Sequence, residues 1–312
     1  MNAIPIPPPL VNGRSGWPWE AAEPPPATKD SFWPTITIVT PSYNQAAYLE
    51  ETIRSVLLQQ YPALEYIIMD GGSTDGSVDI IRHYANHLAY WQSEPDDGQA
   101  DAINKAFARA NGEIMGWLNS DDVYMPGTLS VIGRLFAGQP ETQLAYGEGW
   151  YIDPAGNRLE PCRFVRRKIT DTYLANMDPI LQPAAFWRRS LWDATGPLNS
   201  SLHWVFDWEW FIRAHKQTNF HYIPKALAYY RVQPQAKTRT GGIERQLEHA
   251  SVTRHYGAWW HPNNVVQQLR RFEHGTQVIT AAWPSWLAAP LRGLTAGPRV
   301  IAERVLHGTY MP

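Results

Sequence analysis

LEYIIMDGGSTDGS, residues 64–77, decides the fold. Its first half is a run of apolar side chains closed by Asp70, the pattern of a strand covered on both faces. Its second half sets Gly71, Gly72 and Gly76 among Ser73, Asp75 and Ser77. The glycines allow a sharp turn, and the side-chain oxygens suit the start of a helix. No lysine follows the glycines and GxGxxG spacing is absent, so the loop is not a phosphate cradle of the common kinds. Outward from this stretch, TITIVT (35–40) is a second buried strand, and Leu49, Ile53, Val56, Leu57 and Gln60 follow at helical spacing. Residues 78–84 read as a helix, LAYWQSE (88–94) as a strand, 100–110 as a helix, EIMGWL (113–118) as a strand and 128–136 as a helix. Such alternation predicts an α/β fold, a mostly parallel sheet flanked by helices, with ligands at the carboxyl ends of its strands.

Four polar loops follow those strands and should meet on one rim: PSYN (41–44), DGGSTDGS (70–77), SEPDDGQ (93–99) and NSDD (119–122). Each has an ordinary reading beside a functional one. Pro41 and Asn44 suit a turn with Asn44 capping the next helix, while Tyr43 suits stacking on a planar base. Asp70, at a strand's carboxyl end, is placed to accept a donor N–H of a base or the hydroxyls of a ribose. Asp97, Gln99, Asp101 and Asn104 face either solvent or ligand, and Asp101 and Asn104 share a helical face. In NSDD, Asn119 and Asp121 point the same way on an extended segment. Hard cations such as Mg²⁺ or Mn²⁺ take one or two carboxylates plus substrate phosphates, whereas either aspartate alone also caps a turn. In HWVFDWEWFIRAH (203–215), Asp207 and Glu209 lie among tryptophans. Desolvation there would raise a carboxylate pKa and improve a base; an ion pair with Arg213 is the alternative. HExxH, CxxC and GxSxG are all missing.

Composition bounds the class. The 312 residues carry 27 Lys plus Arg against 29 Asp plus Glu, a balance that gives no footing for nucleic acid. Fifteen tryptophans supply flat surfaces for packing or for stacking on rings. The lone Cys162 excludes an internal disulfide and fits a reducing compartment. MNAIPIPPPL lacks a signal peptide's basic start and apolar run, and no stretch reaches the roughly 20 apolar residues that span a bilayer. A cytoplasmic protein is expected. Residues 1–33 are proline-rich and should be extended, with GWPWE as a docking stub. Residues 236–312 are basic and tryptophan-rich, holding Arg254, Arg270, Arg271, WWHP and AAWPSWLAAPL. Two readings stand for this segment: peripheral contact with the anionic inner face of a membrane, or helices packed on the main domain.

Taken in order, TPSYN, the strand ending in Asp70 before GGSTDGS, GQADAIN, GEIMGWLNSDD, QPAAFW and FDWEWFIR resemble the family-2 glycosyltransferases over about residues 35–235. The resemblance implies a GT-A fold over 34–235 with a helical C-terminal extension, and an inverting, nucleotide-sugar-dependent enzyme. It implies that Pro41 and Tyr43 hold the nucleotide base and that Asp70 reads it. Gln99 and Asp101 join the donor site, as do Asn119 and Ser120 at the start of the Asp-x-Asp position. Asp121 is the implied ligand of Mn²⁺ or Mg²⁺, with Asp122 as its neighbour in the metal site. Asp207 matches the catalytic base, and Lys237 falls in a basic loop over the donor. Asn119 departs from the common aspartate, and Phe206 replaces a glutamate. The expected partners are a UDP-, GDP- or dTDP-sugar and a saccharide or lipid-linked acceptor of surface polysaccharide or glycolipid synthesis. The alternatives are a sugar nucleotidyltransferase, which should carry a glycine-rich loop with Arg and Lys after the first strand, and a non-catalytic nucleotide-sugar binder.

Overall fold

The computed structural model describes residues 6–10, 13–20, 33–234 and 236–257. The chain divides into two compact units. One comprises the described residues up to Lys168 with Pro179–Ser201 and Arg213–Gln233; the other comprises Ile169–Asp178, Leu202–Ile212 and the described residues from Pro234. The strands are β1 (Ile36–Ser42), β2 (Leu64–Asp70), β3 (Tyr90–Ser93), β4 (Ile114–Trp117), β5 (Val123–Tyr124), β6 (Leu144–Ile152), β7 (Arg158–Pro161), β8 (Ala185–Arg188) and β9 (His221–Arg231). The helices are α1 (Leu49–Leu57), α2 (Ser77–Tyr84), α3 (Gln99–Phe107), α4 (Thr128–Gly138), α5 (Asp171–Leu174), α6 (Arg189–Thr195), α7 (Phe206–His215), α8 (Lys237–Thr240) and α9 (Gly242–Tyr256).

All strands belong to the first unit and form one sheet in the order β3-β2-β1-β4-β8-β6-β9-β5, with β7 on β6. β3, β2, β1 and β4 run parallel, as the alternation predicts. The expectation of a mostly parallel sheet needs correction beyond β4. There β8 runs antiparallel to both β4 and β6, β5 runs antiparallel to β9, and β6 pairs parallel with β9. The sheet is mixed. All seven residues of β1 are buried, as a central strand covered on both faces requires. The tryptophans serve packing: Trp117 and Trp187 are fully buried, meet edge to face at 5.3 Å, and share Phe107 as a neighbour.

Helix α1 departs from the amphipathic reading. Every one of its residues is buried, including Glu50, Glu51 and Arg54 on the face that should meet water. The N-terminal segment covers that face. Arg54 donates to the carbonyls of Pro7 (2.9 Å), Pro18 (3.1 Å) and Trp19 (3.0 Å), and Glu50 accepts the Leu10 amide at 2.5 Å. Pro18 of GWPWE is buried. A buried guanidinium keeps its charge only where such acceptors surround it.

In the second unit, Trp208 of α7 donates its indole N–H to the Leu174 carbonyl at 2.7 Å, and its ring lies 4.4 Å from that of His249 on α9. Glu248 of α9 accepts the successive amides of His203, Trp204 (2.6 Å) and Val205 (3.0 Å) just before α7 begins. The expectations for WWHP, AAWPSWLAAPL and the arginines from Arg270 onward lie outside the described residues. No helix among the described residues is long and apolar enough to cross a membrane.

Candidate active site

The register of the parallel strands sets Ser42 beside Asp70, and Asp70 beside Ser93. The loops that leave β1, β2, β3 and β4 therefore meet on one rim, and side chains stitch them together. Asn44 donates its amide N–H to Ser73 Oγ (2.7 Å) and accepts the Thr74 amide on Oδ1 (2.9 Å). The expected helix cap at Asn44 is corrected by this pairing: its φ of 51° is left-handed, and its side chain serves the next loop instead of α1. Tyr43 is 62% exposed on this rim, with its ring available for stacking, and Pro41 is buried in β1.

Asp70 is buried and carries four donors: the amides of Gly72 (3.1 Å) and Ser73 (2.9 Å), and the hydroxyls of Ser73 (2.5 Å) and Ser93 (2.7 Å). That number fills the lone-pair sites of a carboxylate. Asp101 is tied to Lys105 at 2.7 Å and accepts the Asp97 amide at 3.1 Å. Burial opposes its charge, but those partners hold its pKa below the ordinary aspartate value. Asn104, read as facing solvent or ligand, instead brackets the Leu198 backbone, giving and taking one bond of 2.9 Å each.

The NSDD loop is the centre of this cluster. Asn119 accepts from Gln99 Nε2 at 2.8 Å and donates to both Asp122 Oδ2 and Gln182 Oε1 at 3.2 Å. Gln182 in turn donates to the Trp117 carbonyl at 2.8 Å. Ser120 is buried. The two aspartates part company. Asp122 is 1% exposed and accepts the Arg231 amide on Oδ1 at 3.0 Å as well as Asn119 on Oδ2. Burial, then the charge of Asp121, pushes its pKa well up. Asp121 is less buried and accepts Gln233 Nε2 on Oδ2, at 2.8 Å. Burial raises its pKa too, against the pull of Gln233 and Arg231. Arg231 locks the loop from behind, donating to the Asp121 carbonyl (2.8 Å) and to Glu51 (2.8 Å). Gln182, Arg231 and Gln233 were not singled out from the sequence. Each looks like a surface polar residue there, and only the QPAAFW motif around Gln182 gave a signal.

A divalent cation fits this chemistry. Among the described residues no group of three or more His, Cys, Asp or Glu side chains gathers to hold an ion. The Asp121 carboxylate is a hard oxygen donor, the type that suits Mg²⁺ or Mn²⁺ and not a soft metal.

In the second unit Asp207 opens α7 and accepts the Trp208 amide at 2.8 Å. Burial raises its pKa above the ordinary aspartate value, against that bond and the charges of Lys237 and Arg245. Lys237, at the start of α8, places its ammonium 5.4 Å from the centre of the Phe206 ring. Glu248, which gathers the amides ahead of α7, was also missed from the sequence.

Comparison with known proteins gives this arrangement a family. Residues 37–191 match the model of glycosyl transferase family 2. An uncharacterised glycosyltransferase of Mycobacterium tuberculosis strain H37Rv is 31% identical over 184 residues, 58% of this chain and 69% of that protein. The chain belongs to glycosyl transferase family 2. The enzyme is a glycosyltransferase, and these matches lend no support to a nucleotidyltransferase or a non-catalytic binder. Its fold is GT-A. Among solved structures, S. aureus TarS 1–349 in complex with UDP superposes with a TM-score of 0.57 at 19% identity, covering 88% of this chain and 91% of that one. The mannosyltransferase PcManGT from Pyrobaculum calidifontis, in complex with GDP-Man and Mn²⁺, also gives 0.57 at 19% identity, covering 91% of this glycosyltransferase and 84% of that chain.

Proposed function

We propose that the enzyme transfers a sugar from a nucleoside diphosphate donor to an acceptor hydroxyl by direct, inverting displacement assisted by Mg²⁺ or Mn²⁺. The observation that carries this reading is Asp121, a desolvated carboxylate in a loop tied down on every other side by Gln99, Asn119, Gln182 and Arg231. A cation held there supplies a Lewis acid that offsets charge on the leaving diphosphate. Tyr43 stacks on the base above Pro41, and Asp70 accepts a base N–H once the Ser73 or Ser93 hydroxyl turns away. Gln99, Asp101, Asn119 and Ser120 line the ribose and phosphate side, and Lys237 adds positive charge over the donor. Asp207 takes the proton of the acceptor hydroxyl as its oxygen attacks the anomeric carbon and the bond to the diphosphate breaks. The raised pKa of Asp207 suits it to hold that proton. No covalent nucleophile is needed. The nucleotides in the two neighbouring structures, UDP and GDP-Man, support a UDP-, GDP- or dTDP-sugar donor; the acceptor is a saccharide or lipid-linked hydroxyl.

A thermal-shift panel of UDP-, GDP- and dTDP-sugars with Mn²⁺ tests the reading. At a hundredfold excess over Kd, the matching donor should stabilise by about 2.7 kcal/mol and raise the midpoint by about 5 °C. The shift should vanish when the metal is chelated. No shift from any donor would reject the reading.

A further inference from the structure

We infer that the N-terminal segment, residues 6–10 and 13–20, is a working part of the metal site and holds the 119–124 loop in place from behind. The segment lies outside the part of the chain that matches the family model, residues 37–191. Its link to the loop is short. The Trp17 indole N–H donates to the Tyr124 carbonyl at 2.7 Å, two residues beyond Asp122. A second link runs through α1, which is gripped on both sides. On one side Thr52 Oγ1 donates to the Asp122 carbonyl (2.7 Å), and Ser55 Oγ accepts the Tyr124 amide (3.1 Å). On the other side, Arg54 gathers the carbonyls of Pro7, Pro18 and Trp19. Glu51 joins the two sides, 3.8 Å from Arg14 of the segment and 2.8 Å from Arg231, which itself holds the Asp121 carbonyl.

Each step is a hydrogen bond or ion pair in which at least one partner is buried. Without the segment, Arg54, which is 4% exposed, would lose three acceptors and Tyr124 its indole partner. A buried donor or acceptor left without a partner carries its full desolvation penalty. The nearest structure to shift is α1 and the loop it carries. Outer-shell partners of a metal ligand act in this way, fixing the ligand's direction without touching the ion. The inference rests on Asp121 as the metal ligand.

The test uses the full chain with Trp17→Phe, which keeps the ring and deletes the N–H, and with Arg54→Lys, which keeps the charge but lacks the planar fork whose three nitrogens reach the separate carbonyls of Pro7, Pro18 and Trp19. Mn²⁺ affinity is read from the free-ion EPR signal in the presence of UDP and of GDP, well below each variant's melting midpoint. The expected result is a loss of about tenfold for each variant, the lower end of outer-shell effects. A merely structural role would lower the midpoint and leave the affinity of the folded protein unchanged, and that result would overturn the inference. Asp121→Ala is the control. If it abolishes Mn²⁺ binding while Trp17→Phe and Arg54→Lys do not weaken it, the inference alone fails. If Asp121→Ala binds Mn²⁺ like the wild type, the assignment of the metal ligand fails and takes the inference with it.

Discussion

Asn119 stands where the resemblance to the family leads to an expectation of aspartate, and its surroundings suit the amide. Its Nδ2 donates to Asp122 and to Gln182 Oε1, both acceptors, while its Oδ1 takes the Gln99 amide. A carboxylate at 119 would turn two of those bonds into oxygen–oxygen contacts beside a buried acid. Asn119→Asp is therefore expected to destabilise the protein by about 1–3 kcal/mol, read by denaturant titration, and not to tighten metal binding. Asp207 gives a pH prediction whose sign follows from its role. A general base works deprotonated, and burial raises the pKa of Asp207, the proposed base, above the ordinary aspartate value. The rate should be lost as pH falls through that raised value, so the acid limb of kcat/KM lies above the ordinary aspartate range. The polar residues at the ends of the parallel strands were legible because each loop follows a readable strand. Arg231 and Gln233 were not, because nothing in RVQPQAKT tells a hub from a solvated loop. The split between Asp121 and Asp122 came from the resemblance; what adjacent aspartates do not reveal in sequence is that Asp122 is the more buried and is bonded to the Arg231 amide and to Asn119.

At the scale of elements, legibility followed the period of the pattern. β1 to β4 and their helices alternate cleanly, and α2 and α4 begin within a residue of where periodicity puts them. Beyond β4 the signal fails for physical reasons. β5 has two residues, and β8 has four that run directly into α6. β9 contains Pro224, which cannot donate to a ladder, and the register with β6 shifts there, from Gly147 opposite Ile223 to Glu148 opposite Ala226. The charged face of α1 misled for a different reason: its cover comes from a proline-rich stretch with no periodicity at all. Close packing in the mixed half of the sheet gives a further prediction. A Cβ on Gly149 of β6 would lie 2.3 Å from Leu181 Cδ2 and 2.5 Å from the Ala228 carbonyl oxygen of β9. Backbone oxygen cannot give way as a side-chain tip can. Gly149→Ala should cost about 1–3 kcal/mol and lower the melting midpoint by several degrees.

For the molecule as a whole, the account assigns two carboxylates to two separable tasks, Asp121 to the donor's diphosphate and Asp207 to the acceptor's proton. Loss of a general base commonly costs about 10²- to 10⁴-fold in rate. It should leave the donor's grip intact, whereas loss of a metal ligand should weaken binding itself. The decisive measurement pairs Asp207→Asn with Asp121→Ala, recording calorimetric binding of the nucleotide with Mn²⁺ and release of nucleoside diphosphate on addition of acceptor. The account predicts that Asp207→Asn binds like the wild type and does not turn over, while Asp121→Ala loses both turnover and the metal dependence of binding. Full turnover by Asp207→Asn would contradict it.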